Sequence, residues 1–209
     1  MNVLKLIVFD CDGVLFDSRR ANREYYNHLL KHFRHPPMDE SELEYAHMHS
    51  ASDSVRHIFR NYPENSFEEI EAFRRELGYE RFLPHMRMEE DLMDFLHIVK
   101  DKFHLAISTN RGNTMEPLLR IFGLQEFFAK VVTSQTAVRS KPAPDGLIEI
   151  LNHFQCTAAE TIFIGDSIID SEHASSCDVP LIAFKNKDLP AKFHVSSFME
   201  ILTLPPLRS

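Results

Sequence analysis

Leu4-Lys5-Leu6-Ile7-Val8-Phe9-Asp10-Cys11-Asp12-Gly13-Val14-Leu15-Phe16-Asp17-Ser18 is the stretch on which the reading of the chain turns. An apolar run stops at two acids spaced two apart, and a glycine follows. The run is too short for a helix of its own and reads as a buried strand. Ending a buried strand in carboxylates is costly unless their charge is compensated. The tip of the strand is therefore expected to open into a cleft and to hold a cation.

Working outward, helix and strand alternate from residue 88 onward. Helix 89–100 leads to strand 105–108, which ends in Thr109-Asn110-Arg111-Gly112. Helix 114–122 and strand 130–133 follow, and Ser140-Lys141-Pro142 precedes helix 145–154. Strand 161–164 ends in Gly165-Asp166, with helix 168–176, strand 181–184 and a closing helix 197–202 after it. This alternation predicts an α/β fold, a Rossmann-like parallel sheet covered on both faces. Three of the strands end in a polar group: Asp10, Thr109 and Asp166. Open parallel sheets bind ligands beyond the carboxyl ends of their strands, so Asp10, Asp12, Thr109, Asp166 and Asp170 are expected around one crevice.

Residues 19–87 have a different character. They are charged, rich in His and aromatics, and contain a single glycine, Gly78. Tyr25 or Tyr26 with Leu29, Leu30 and Phe33 share one helical face, and Pro36-Pro37 ends that helix. Residues 53–62 and 66–77 carry the same spacing, with Ser66 and Glu69 as a capping box and Gly78 as the residue after the helix. The expectation is a core built from residues 1–18 and 88–209, carrying an all-helical insert over residues 19–87.

The chain has 209 residues, 44% hydrophobic and 26% charged, as expected of a globular protein. A formal net charge of −8 argues against non-specific binding to nucleic acid or to an anionic membrane. No apolar run approaches the roughly 18–20 residues of a membrane span, and the N-terminus lacks a signal-peptide layout. Cys11, Cys156 and Cys177 are odd in number and show no CxxC spacing, which points to reduced thiols in a cytoplasm.

Four acids in one cleft call for a hard divalent cation, and Mg²⁺ suits all-oxygen ligands that leave room for waters and a substrate phosphate. Lys141, held in a loop by Pro142, would balance that charge. Thr109 and the backbone N–H of Asn110 are suitable donors to a phosphoryl oxygen.

These residues resemble the four signature motifs of the haloacid dehalogenase-like hydrolase superfamily, in the same order. Asp10-Cys11-Asp12-Gly13-Val14 is similar to motif one, Thr109 to motif two, Lys141 to motif three, and Gly165-Asp166-Ser167-Ile168-Ile169-Asp170 to motif four. The helical insert resembles the cap of the phosphoglycolate phosphatase and β-phosphoglucomutase branch. The resemblance implies a Mg²⁺-dependent phosphatase acting on a small phosphorylated metabolite. Asp10 would be the nucleophile and Asp12 the general acid and base. Mg²⁺ would be held by Asp10, the Asp12 backbone carbonyl and Asp166, with Asp170 in support. Thr109 and Lys141 would grip the phosphoryl group. A monomer or homodimer in the cytoplasm is expected.

Two departures weigh against the phosphomutase alternative. Asn22 stands where β-phosphoglucomutase has a cap His, and Ala51 aligns roughly with its sugar-phosphate-binding Arg. A dehalogenase would lack Asp12, and a non-catalytic binding module would have lost Asp10, Asp12 or Lys141. Asp178 replaces a frequent glycine at a position where Asp tolerates left-handed geometry. Ser18 and Asn22 are candidates to face the substrate, with helix capping and solvent exposure as equal alternatives. His47 and His49 point apart on a helix and are not expected to form a metal pair. Arg74-Arg75 reads as a solvated face, and Cys11 as packed and unreactive.

Overall fold

The computed structural model describes residues 3–207. Strand β1 (Leu6–Phe9) is fully buried along its length and is followed by the short β2 (Phe16–Asp17). Four helices come next: α1 (Arg19–His32), α2 (Glu40–Met48), α3 (Ala51–Ile58) and α4 (Phe67–Leu77). A 3-10 segment, Glu80–His85, leads to β3 (Arg87–Met88). The remainder alternates: α5 (Leu92–Val99), β4 (His104–Ser108), α6 (Met115–Ile121), β5 (Lys130–Val132), α7 (Asp145–Phe154) and β6 (Thr161–Gly165). It ends with α8 (Ile168–Ser175), β7 (Leu181–Phe184), β8 (Phe193–Val195) and α9 (Phe198–Ile201).

Six strands form one parallel sheet in the order β5-β4-β1-β6-β7-β8. β1 lies between β4 and β6, with Phe9 opposite Ile107 and Ile164. Its side chains alternate between two apolar layers. Ile7 and Phe9 pack with α5, α6 and α9 through Phe95, Leu118 and Phe198. Leu6 and Val8 pack with α7 and α8 through Leu147, Ile150 and Ala174. Fully burying each such side chain is worth roughly 1.5–3 kcal/mol, and burial on both sheet faces is why β1 has no polar residue until Asp10.

Helices α1 to α4 share a third apolar cluster, including Tyr25, Leu29, Leu43, Val55, Ile58 and Ile70. The Ser66–Glu69 capping box opens α4, and Gly78 closes it. β2 and β3 pair antiparallel, Phe16 opposite Met88, so the chain enters and leaves the helical insert side by side. Four elements lie outside the sequence reading. The β2/β3 pair is too short to leave a pattern, and β8 is an edge strand of three residues. In α2 only Leu43 and Ala46 are buried, so its helical periodicity is weak, although the capping box of Asp39 with Glu42 marks its start. Among the described residues, no helix is long and apolar enough to cross a membrane.

Candidate active site

β1, β4 and β6 end at the same edge of the sheet and deliver Asp10, Thr109 and Asp166. Close approach of the chain there depends on two glycines. A Cβ on Gly13, whose φ is +83°, would overlap the Asp166 carboxylate, and one on Gly165 would overlap Asp170. Beyond the strand ends lies a cavity of about 260 Å³. Asp10, Asp12, Thr109, Asn110 and Lys141 line it from the core, and Asn22 and Ala51 from the insert.

Lys141 is the hub of the site. It is buried, and its Nζ donates to Asp10 Oδ1 at 2.7 Å and to Asp170 Oδ1 at 2.6 Å. Its loop is fixed by Asn110, whose Oδ1 accepts from the Lys141 N–H at 2.9 Å while its Nδ2 donates to the Lys141 carbonyl at 3.1 Å. The same Nδ2 donates to Met48 O of α2 at 3.2 Å, which joins core and insert across the cavity. Thr109 Oγ1 accepts from the Arg111 N–H at 3.1 Å.

The acids divide into three electrostatic situations. Burial pushes Asp10 up to about 7 despite Lys141, and Asp170 adds to the rise. Burial also pushes Asp166 well above the usual carboxylate range, reinforced by Asp170 and Asp10. His47 Nε2 lies 3.9 Å from its Oδ2, and burial holds that imidazole below its ordinary pKa, so it brings no compensating charge. Asp170 is fully buried, yet Lys141 and the donors at the start of α8 hold it low. Its Oδ2 accepts from Ser167 Oγ at 2.8 Å and from the Asp166 and Ser167 N–H groups, both at 3.2 Å. Asp12 is depressed as well, because Arg111 outweighs the cost of burial.

Asp10, Asp166 and Asp170 each place an oxygen within 4.8 Å of the others. One lysine does not neutralise three carboxylates, two of them buried and Asp166 partly so, and the donor set is all oxygen. That combination fits a hard divalent cation such as Mg²⁺. The Asp12 carboxylate is turned out of this group, because Arg111 Nη2 and Nε hold its two oxygens at 2.5 and 3.1 Å.

Ser18 and Asn22 sit differently relative to the cleft. Ser18 is fully buried beneath the cleft wall, with its Oγ 3.4 Å from His47 Nδ1, and its hydroxyl does not cap α1. Packing of the first turn of α1 against α2 shuts it away. Asn22 does reach the cleft, but its Oδ1 accepts from the Tyr79 hydroxyl at 2.6 Å. Arg74 is not solvated: it is paired to Glu71 through two 2.8 Å hydrogen bonds and lines the cleft. Cys11 is fully buried with its thiol pushed up, by burial first and the neighbouring Asp12 second. Asp178 takes a left-handed φ of +56°.

A family model described as haloacid dehalogenase-like hydrolase matches residues 7–184. The chain belongs to the haloacid dehalogenase-like hydrolases. It is 25% identical to a phosphoglycolate phosphatase of Chromobacterium violaceum, over 96% of each chain. It is 23% identical to the pyrophosphatase PpaX of Bacillus pumilus, over 95% of this chain and 92% of the other. A haloacid dehalogenase-superfamily hydrolase of subfamily IA, variant 1, from Geobacter sulfurreducens superposes with a TM-score of 0.84. The two are 29% identical, and the match covers 96% of this chain and 99% of that one. Family and relatives together make this hydrolase a phosphatase.

Three residues of this hydrolase's cleft escape the sequence reading. Arg111 follows Thr109-Asn110 directly, so its position was visible even though its grip on Asp12 was not. His47 meets Asp166 only because α2 folds over the strand ends. Tyr79 stands 5.0 Å from the Arg111 guanidinium, ring to Cζ, and sits in a linker without periodicity.

Proposed function

We propose that this hydrolase is a Mg²⁺-dependent phosphatase acting on a small phosphorylated metabolite through an aspartyl-phosphate intermediate. The observation that carries the reading is the cluster of Asp10, Asp166 and Asp170, with Lys141 bonded to the first and last, beside a cavity of about 260 Å³ at the strand ends. Asp10, Asp166 and the backbone carbonyl of Asp12 would hold Mg²⁺, with Asp170 supporting through Lys141. The cation would supply charge compensation, keeping Asp10 and Asp166 ionised and drawing electron density from the phosphoryl oxygens.

The chain's own groups have separate tasks. Lys141 fixes Asp10 Oδ1, which leaves Oδ2 to attack phosphorus. As the Oδ2–P bond forms and the P–O ester bond breaks, Asp12, once it has turned from Arg111 and taken up a proton from water, gives that proton to the leaving alkoxide. Water then attacks phosphorus and passes a proton to the Asp12 carboxylate, and the P–Oδ2 bond breaks to release phosphate and free Asp10. Thr109 Oγ1, the Asn110 N–H and Lys141 hold the phosphoryl oxygens as charge shifts through them. The insert closes over the cavity through the Asn110–Met48 contact and limits access of bulk water.

A phosphomutase is disfavoured. Asn22 is tied to Tyr79, and Ala51 presents no charge to a second phosphate. The test is phosphate release from a panel of small phosphate esters with Mg²⁺ or EDTA. Wild type should release phosphate only with Mg²⁺, and Asp10→Asn should release none. Release that persists in the variant overturns the mechanism, and isomerisation of a hexose 1-phosphate without release establishes the mutase.

A further inference from the structure

His173 has no task in the scheme above, yet it touches the segments that carry Thr109, Lys141 and Asp170. It is fully buried on α8, one turn after Asp170. Its Nδ1 lies 2.8 Å from the Ala143 carbonyl, just beyond Lys141, and its Nε2 lies 3.0 Å from Ser108 Oγ, just before Thr109. A carbonyl only accepts, so the ring donates from Nδ1 and accepts the Ser108 hydroxyl at Nε2. The ring also packs edge-on against Phe163 of β6, centroids 5.5 Å apart, and the same Phe163 ring lies 5.6 Å from Lys141 Nζ.

We propose that His173 is a positioning residue for phosphoryl transfer: its Nδ1–H pins the Lys141 turn to α8 and so sets the reach of Lys141 Nζ to Asp10. The inference rests on the phosphatase reading above, in which Lys141 fixes Asp10 Oδ1 and holds the phosphoryl group. Lys141 sits in a turn closed by the Ala143 N–H, which donates to the Ser140 carbonyl at 3.1 Å. Asn110 holds the N–H and the carbonyl of Lys141 itself from the β4 side. Pro142 has no N–H to offer, so the next handle on the turn is the Ala143 carbonyl, and His173 takes it. α8 thus meets the turn twice, through Asp170 at Nζ and through His173 at the backbone. A lysine stem is flexible, and its ammonium meets Asp10 and Asp170 together only from a fixed backbone. Ser108 stops the ring from turning, which keeps Nδ1–H aimed at Ala143.

The experiment separates the two contacts of the ring. Counted in bonds from Cα, an Asn amide stands at the place of Nδ1 and a Gln amide at that of Nε2. His173→Asn therefore keeps a donor for Ala143, whereas His173→Gln keeps only the partner of Ser108. The substrate is the panel ester that wild type hydrolyses fastest with Mg²⁺. His173→Gln should lose roughly 10- to 100-fold in kcat, with KM changed by no more than about threefold. His173→Asn should keep kcat within about threefold of wild type. His173→Leu has the shape of Asn without its donor; it should match His173→Gln and serves if that variant does not fold. Hydrogen exchange at the Lys141 and Ala143 amides, set against β7 amides as the measure of global opening, reads the hold on the turn without turnover. It should quicken by about tenfold or more in the Gln and Leu variants and stay near wild type in His173→Asn. Wild-type kcat in the Gln and Leu variants overturns the inference. So does an equal loss in His173→Asn, which would make the ring a packing element only. If no ester is hydrolysed, the phosphatase reading fails, and the exchange pattern still decides whether His173 holds the turn.

Discussion

Gly13 shows how little freedom the nucleophile loop has. Its φ of +83° is in the left-handed region, which costs a residue with a Cβ roughly 1–2 kcal/mol. The methyl of Gly13→Ala would also overlap the Asp166 carboxylate, so either Asp166 or the loop must shift. Displacing a charged group by as little as 1 Å at a phosphoryl-transfer site is expected to cost on the order of 10²-fold in rate. Gly13→Ala should therefore fold with a modest loss of stability and lose about 10²-fold in kcat, with KM less affected. Steady-state kinetics alongside a urea melt separates the two effects. Near wild-type kcat would mean that Asp166 does not need its present position.

Element packing behind the site depends on His173 of α8, which is fully buried. Its Nδ1 lies 2.8 Å from the Ala143 carbonyl and its Nε2 lies 3.0 Å from Ser108 Oγ at the end of β4. The carbonyl can only accept, so Nδ1 carries the proton, and a neutral imidazole accepts from Ser108 at Nε2. Burial, with Lys141 adding to it, pushes His173 down to about 4 from the ordinary 6.5. Between those values the unfolded chain binds the extra proton and the native state does not. Stability from this group is therefore complete above pH 6.5 and falls as the pH drops toward 4, by at most about 3 kcal/mol. His173→Gln should be less stable at pH 7 but should show a flatter stability profile across that window, read from urea midpoints. An unchanged slope would place the acid sensitivity elsewhere.

The same elements show what the sequence could disclose. Apolar runs ending in a polar group revealed β1, β4 and β6, and the convergence of Asp10, Thr109 and Asp166 followed because helix–strand alternation makes the sheet parallel and puts the carboxyl ends of its strands at one edge. His173 was invisible by comparison: a histidine in a short helix becomes a buried link only when β4, α8 and the loop after Lys141 meet. Arg111, His47 and Tyr79 are similar cases, since their partners lie far away in sequence and no local periodicity reports them. The Arg74 expectation failed because Glu71, one turn earlier, draws the guanidinium back along α4 toward the cleft.

For the molecule as a whole, the site lies where two apolar bodies meet, and its charges oppose stability there. The helical insert has its own apolar cluster, separate from the two layers that cover the sheet. Among the described residues, Asp166 has no lysine or arginine partner across that seam, and burial holds its carboxyl well above the usual range. An acid raised in this way destabilises the native state increasingly as the pH climbs above its ordinary value near 4, because the unfolded chain ionises freely while the folded one resists. Removing the charge should therefore stabilise the metal-free protein. Asp166→Asn is expected to gain about 0.5–2 kcal/mol at pH 7 in EDTA, with the gain disappearing below pH 4. Mg²⁺ at a hundred times its Kd should stabilise wild type by about 2.7 kcal/mol, and Asp166→Asn should lose most of that response. Calorimetric melts of both proteins, with EDTA and with Mg²⁺, measure the two quantities together. A variant less stable than wild type in EDTA would mean that Asp166 is compensated within the fold, and an undiminished Mg²⁺ response would place the cation on other ligands. The expected crossing, with the variant more stable without metal and wild type more stable with it, would mark Asp166 as a residue kept for binding at the expense of the fold.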